Sequence, residues 1–304
     1  TLIANSAVGD DVEVLDTGKS ATADGRMIVA GYLPYYHVAS VRQLHPVLDD
    51  VMLFGAEVDA GGSLDLSNLS PRVLSRFESL RRGRPEVRYL LTVGGWGKST
   101  GFARMTRDAA LRKSFISGLV DFCRDHHFHG VDYDWEHPDD EKEAADYERL
   151  VIETRAALGS QGVVTVAVAS WQPLPTSFFQ QVDRVHLMSY DHGFPQATLE
   201  KSAQDVRRLL RQGCPAEKLM LGIPFYGRNK DRKARTYRQL SRSTAFQKDA
   251  NVIDGYATNG AALVRQKADL VGKQNLAGIM IWEIGQDAAS PRSLLDVLAK
   301  SPTR

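Results

Sequence analysis

The feature that most constrains this chain is an eightfold alternation. Short apolar runs rich in β-branched residues recur at Met27 to Leu33, Val51 to Ala56, Val87 to Val93, Gly130 to Glu136, Val163 to Ser170, Arg184 to Tyr190, Lys218 to Tyr226 and Gly278 to Glu283. Amphipathic helical stretches lie between most of them. Pro71 to Arg82 places Val73, Leu74, Phe77 and Leu80 at helical spacing, with Ser70 as cap and Pro71 in the first turn. Asp108 to His127, Glu141 to Leu158, Leu199 to Gln212, Ala261 to Lys273 and Ser293 to Lys300 follow the same period. The link between the first two runs, Val38 to Leu48, is short and contains Pro46. Strands alternating with helices predict a parallel sheet, and eight such units predict its closure into a (β/α)₈ barrel.

The length agrees with that closure. The chain has 304 residues and such a barrel typically needs ~250, although length alone would also allow two smaller domains. Residues 1–25 are polar, without apolar period, and read as an extended leader; residues 26–304 form the expected barrel. Asn229 to Thr258, between the last two runs, is a polar insertion with the basic run Lys230, Arg232, Lys233, Arg235. It reads as a solvated loop, or alternatively as a wall of a substrate groove. The formal net charge of +1 gives no field that would favour nucleic acid. No apolar run approaches the ~18 residues of a membrane span. Cys123 sits in a helical pattern and Cys214 precedes a proline; both read as free thiols.

The chemistry concentrates in Gly130-Val-Asp-Tyr-Asp-Trp-Glu136. Alternate side chains of a strand face the same way, so Asp132, Asp134 and Glu136 share one face while Val131, Tyr133 and Trp135 share the other. The apolar set suits the helical shell, which turns the three acids toward the barrel axis. Acids are expensive there unless protonated or hydrogen-bonded, so the trio predicts a catalytic site. Glu136 stands nearest the open end, and close carboxylates share protons. Glu136 is therefore expected to be protonated near neutral pH and to act as general acid. Retaining glycosidases usually carry a second carboxylate across the sugar, ~5 Å from the acid; no comparable acid cluster marks another strand end.

The chain resembles glycoside hydrolase family 18, the chitinase family. The family pattern Asp-x-x-Asp-x-Asp-x-Glu is matched by Asp132, Asp134 and Glu136, with His129 replacing the first Asp at what is read as the buried start of the strand. Leu91-Thr-Val-Gly-Gly-Trp96, Met188-Ser-Tyr-Asp191, Gly222-Ile-Pro-Phe-Tyr-Gly-Arg228, Gly278-Ile-Met-Ile-Trp-Glu283 and Gly31-Tyr32 resemble further motifs at successive strand ends. The resemblance implies a retaining hydrolase of β-1,4-linked N-acetylglucosamine in which the substrate's own acetamido oxygen replaces the missing nucleophile. It implies that Glu136 is the acid and then the base, that Asp134 stabilises the acetamido group, that Asp132 tunes Asp134, and that Tyr190 donates to the acetamido oxygen. It further implies that Asp191 contacts the same sugar, that Trp282 forms its floor, and that Tyr32 and Met188 line the site. Gly95 and Trp96 border it, with Trp96 and Trp171 able either to stack on neighbouring sugars or to sit in the core. Tyr226 and Arg228 are expected at the rim.

His126, His127, His129 and His137 crowd one region, but His129 and His137 lie at opposite ends of one strand, ~26 Å apart, and His126 and His127 suit a helix C-terminus. No metal and no cofactor is expected. The expected partner is an N-acetylglucosamine-containing oligosaccharide or polysaccharide, bound by a monomer in a shallow groove, outside the cell as the resemblance implies. A relative acting on N-glycan cores or peptidoglycan, and a non-catalytic sugar-binding lectin on the same barrel, are the alternatives.

Overall fold

A computed structural model describes residues 26–301; the predicted leader, 1–25, lies outside them. Eight parallel strands close on themselves: β1 (Ile28–Pro34), β2 (Asp50–Val58), β3 (Arg88–Gly94), β4 (Gly130–Asp134), β5 (Val163–Val168), β6 (Arg184–Leu187), β7 (Leu219–Pro224) and β8 (Gly278–Trp282), with β8 pairing back onto β1. This is the expected (β/α)₈ barrel. The helices Pro71–Arg82, Ala109–Asp125, Glu141–Leu158, Leu199–Arg211, Ala261–Lys273 and Leu294–Leu298 form the shell, joined by shorter helices at Phe102–Arg107 and Thr176–Gln180. The first connection holds only a turn of 3₁₀ helix, Val38–Ser40. Helix starts follow from local chemistry. Ser70, Asp108, Asp140 and Thr198 each accept a backbone N–H from the first turn they precede.

Apolar residues pack in two layers. The larger lies between strands and helices and includes Val131, Tyr133 and Trp135. Trp135 stacks on Phe102 at 5.3 Å between ring centroids, and the Tyr133 hydroxyl meets Thr154 Oγ1 at 2.8 Å. The outward set of β4 therefore faces the shell, as alternation requires. The smaller layer fills the barrel itself with Ile28, Tyr32, Met52, Phe54, Leu90, Met220 and Met280.

The strand ends and one flank depart from the sequence reading. Pairing of β4 stops at Asp134, opposite Gly94, so Glu136 stands two residues beyond the strand. The cause lies in β3: Gly94 and Gly95 take φ of 104° and 106°, and a Cβ at Gly94 would meet the Asp134 carbonyl at 2.3 Å. The chain turns away there and leaves β4 no neighbour. His129 is exposed at the lower rim rather than buried, because pairing of β4 begins only at Gly130; its Nδ1 accepts the Tyr89 N–H at 3.0 Å. The insertion is not a plain loop. Tyr226–Arg228, Ala234–Thr236, Val252–Ile253 and Tyr256–Ala257 form a small antiparallel sheet beside the barrel mouth.

The floor of the barrel is ionic. Asp50, at the start of β2 and 1% exposed, accepts from Arg88 Nε at 2.7 Å and from the buried Arg184 Nη1 at 2.7 Å. Removing one partner of a buried pair leaves the other charge unsatisfied in low dielectric. Asp50→Ala should therefore cost about 3–5 kcal/mol in urea unfolding. A loss below about 1 kcal/mol, the ordinary value for an exposed pair, would show that water reaches Arg184.

Candidate active site

The barrel mouth opens into a cleft of about 1320 Å³. Glu136, Asp134, Tyr190, Asp191, Met188, Tyr226, Arg228, Trp96, Tyr32 and Trp282 all line it. Gly95 lies under its wall: its N–H donates to the Asp134 carbonyl at 2.7 Å, and a Cβ there would strike the Phe54 ring at 2.4 Å. Of the site residues singled out from the sequence, all but Gly95 and the buried Asp132 thus line one hollow, at the ends of strands far apart in sequence.

The acids form a ladder along β4. Asp132 is fully buried and saturated with donors. Tyr32 donates to its Oδ2 at 2.8 Å, Thr92 to the same oxygen at 3.1 Å, and Thr165 to Oδ1 at 2.5 Å; His186 Nδ1 lies 3.2 Å from Oδ1. Registry explains this cage, because Thr92, Asp132 and Thr165 sit side by side on β3, β4 and β5. Burial alone would raise the Asp132 pKa, but the hydrogen bonds and the charge of His186 outweigh it and hold the pKa below the ordinary carboxylate value. Asp134, one inward position higher, has no such donors, and its Oδ1 has no partner. Burial first, then the charges of Glu136 and Asp132, raises its pKa well above the ordinary value. Glu136 is partly exposed at the rim, and burial lifts its carboxyl to about 7, with Asp191 adding to the rise against an opposing hydrogen bond from the Trp96 backbone. Its own N–H is fixed by Ser99 Oγ at 3.0 Å. Along the ladder the carboxyl pKa thus falls below the ordinary value at the bottom and rises above it in the two groups higher up.

The other walls have distinct parts. Trp282 rests on Tyr32 and Phe54, with ring centroids 5.3 and 5.2 Å away, and offers a flat base. Burial, then the neighbouring Tyr226 and the acids Asp134, Glu136 and Asp191, pushes the Tyr190 pKa well up, so its hydroxyl stays a donor. Asp191 is gripped from one side: Arg228 donates through Nε at 2.5 Å and Nη2 at 2.8 Å, and Tyr226 through its hydroxyl at 3.0 Å. Tyr226 and Arg228 thus hold Asp191 in place. Tyr32, 1% exposed, sits at the foot of the cleft, tied to Asp132 and to His186 Nδ1 at 3.0 Å. Trp96 is 80% exposed and Trp171 51%, so neither is a core residue.

Sequence reasoning passed over several lining residues. His137, weighed only as a metal ligand, lies beside Glu136 with Nε2 3.6 Å from Oε2, and packs on Trp171 at 4.7 Å. Among the described residues, no group of three or more His, Cys, Asp or Glu side chains is placed to hold a metal. His186 was hidden inside the apolar run of β6. Tyr36, Phe54 and, from the insertion, Arg232, Thr236 and Gln239 also face the cleft, which makes the insertion a wall.

Comparison with known proteins agrees with this fold. The model of the family Glycosyl hydrolases family 18 matches residues 28–287. An endochitinase of Manduca sexta is 32% identical over 188 residues, 50% of this chain and 34% of that protein. This chain spans 34% to 50% of the length of three such curated relatives. Among solved structures, a chitinase from Flavobacterium johnsoniae superposes with a TM-score of 0.81 at 23% identity, covering 91% of this chain and 94% of that one. A plant class V chitinase mutant from Cycas revoluta in complex with (GlcNAc)3 superposes at 0.77 with 23% identity, covering 89% and 98%.

Proposed function

The chain belongs to the glycosyl hydrolases family 18, and from that premise we propose that it hydrolyses chains of β-1,4-linked N-acetylglucosamine with retention at the anomeric carbon. The observation that carries the reading is the position of Glu136: in the cleft, holding a proton up to about pH 7, one inward position above Asp134. A sugar seated on Trp282 would present its glycosidic oxygen to Glu136, which donates its proton as the bond breaks. The acetamido oxygen of the same sugar attacks the anomeric carbon and forms an oxazolinium ion. Asp134 and Tyr190 hold the acetamido group, and Asp132 tunes Asp134 from below. The Glu136 carboxylate then takes a proton from the water that opens the ring.

One arrangement supports substrate assistance over a protein nucleophile. The other acids of the cleft are engaged: Asp191 by Arg228 and Tyr226, Asp205 by His192, Ser170 and Ser189. The three-sugar ligand of the Cycas revoluta neighbour supports N-acetylglucosamine as the unit bound. Retention of Glu136, Asp134 and Tyr190 favours turnover over sugar binding alone. We place its action outside the cell, where such polymers lie, and as a monomer.

Hydrolysis of a chitin oligosaccharide followed by proton NMR should release the β-anomer first, with the α-anomer growing in later by mutarotation. The α-anomer appearing first would overturn the mechanism. Tight binding without cleavage would leave the lectin reading.

A further inference from the structure

The cleft is chemically lopsided. Over β1, β2 and β8 its lining is largely aromatic, with Tyr36, Phe54 and Trp282, and the nearby cation, Lys98, is paired with Glu57. Over β5 to β7 it passes Trp171 and continues along the helix Leu199–Arg211, where Lys201, Gln204, Arg208 and Arg211 line it, faced by Arg232 of the insertion. Intervals of three, four and three residues place those four on one face of the helix. At ~1.5 Å rise per residue the stripe is about 15 Å long.

These cations are exposed, and among the described residues none of Lys201, Arg208, Arg211 and Arg232 has a carboxylate within ion-pair distance. The nearby acids are already engaged, Asp205 by His192 and the serines, Asp191 by Arg228 and Tyr226. Like charges three or four residues apart oppose helix formation. The helix dipole accounts for Arg208 and Arg211, which stand in the last turn. It does not account for Lys201, which sits in the first turn where a cation is disfavoured, nor for Arg232, which lies on another element. A neutral polysaccharide makes no use of such charges, whereas the guanidinium fork matches a carboxylate in two-point hydrogen bonding.

We propose that the stripe Lys201, Arg208 and Arg211, with Arg232, extends the cleft into a binding track for a β-linked N-acetylhexosamine strand that carries carboxylates. The inference rests on the hydrolase reading and narrows its substrate class to acidic glycans of the peptidoglycan kind. The carboxylates are either lactyl ethers on alternate sugars or those of attached peptides.

The test uses the full chain and the triple variant Lys201→Gln, Arg208→Gln, Arg211→Gln. The probes are a chitin oligosaccharide, a peptide-free peptidoglycan strand of equal length, and the same strand with its peptides. At low salt the wild type should show kcat/KM at least about tenfold higher on a carboxylated strand, a preference that high salt erases. The variant should lose that preference while its rate on the neutral oligosaccharide stays within about twofold. Preference for the peptide-free strand identifies the lactyl groups, and preference only for the peptide-bearing strand identifies the peptides; either supports the track. Equal rates on neutral and acidic probes, or an equal fall on both in the variant, would overturn it. If the wild type cuts neither kind of strand, the hydrolase reading fails separately. Calorimetry with the same probes then decides the track: salt-sensitive preference for the acidic strand supports it, and equal or no binding overturns it.

Discussion

Glu136→Gln is expected to lower kcat on chitin oligosaccharides by roughly 10³-fold, within the range that general acid catalysis contributes, with KM little changed. The side chain keeps its size and its place beside Ser99 and Trp96, but an amide has no proton to give at this pH. The pH profile provides the sharper discrimination. In the wild type the acid must be protonated, and burial places its pKa at about 7. Activity should therefore be full below that value and fall about tenfold per unit above it. The residual activity of the variant should lack this fall, since glutamine does not titrate. A variant that retains both the rate and the basic limb would place the proton donor elsewhere, with His137, 3.6 Å away, the first to examine.

Asp134→Asn should cost about 10²–10³ in kcat, the range seen when a group aimed at transition-state charge is removed. The proposed intermediate is a cation, and Asp134 is the group beneath it that can become negative. Its high pKa reflects burial between two other acids. Once Glu136 has given up its proton, the ladder can redistribute charge toward the ring. Asparagine fills the same space but cannot follow. Steady-state kinetics at fixed pH, with circular dichroism to confirm the fold, measures the effect. A loss below about threefold would mean that the acetamido group is stabilised mainly by Tyr190, and that the ladder's function is structural.

Much of this architecture was legible in the sequence, and the misses have physical causes. The helices Pro71–Arg82 and Glu141–Leu158 match their predicted bounds because cap residue and apolar period start together, and Ala261–Lys273 matches on its apolar period alone. Strand ends were overrun at Glu136, Ser170 and Tyr190, where the pattern continues into residues that line the mouth after pairing has stopped, and at Tyr226, which leaves the barrel and starts the small antiparallel sheet. The helix Phe102–Arg107 escaped notice because it is six residues long and its N-cap, Gly101, offers no side-chain signal. The inward acids followed from alternation alone. Their supports did not: Thr92 and Thr165 meet Asp132 through the register of the neighbouring strands, and Tyr32 and His186 reach it from strands that do not pair with β4. The pair Asp50–Arg184, 134 residues apart, is equally invisible to local pattern. Charged residues of Leu199–Arg211 look like an ordinary solvated helix face until the cleft is seen to run along them.

The acids occupy successive inward positions of one strand, and strand geometry repeats every two residues. Deleting a single residue between Gly130 and Asp132 would turn Tyr133 and Trp135 into the hollow and swing the whole ladder under the helices. Such a lesion allows no graded decline, because one frame slip removes acid, stabiliser and tuner together. Point substitutions, by contrast, can silence Glu136 while leaving the sugar platform on Trp282 intact. Descent from a hydrolase to a receptor on this scaffold is therefore open to single-residue exchange and closed to shortening of β4.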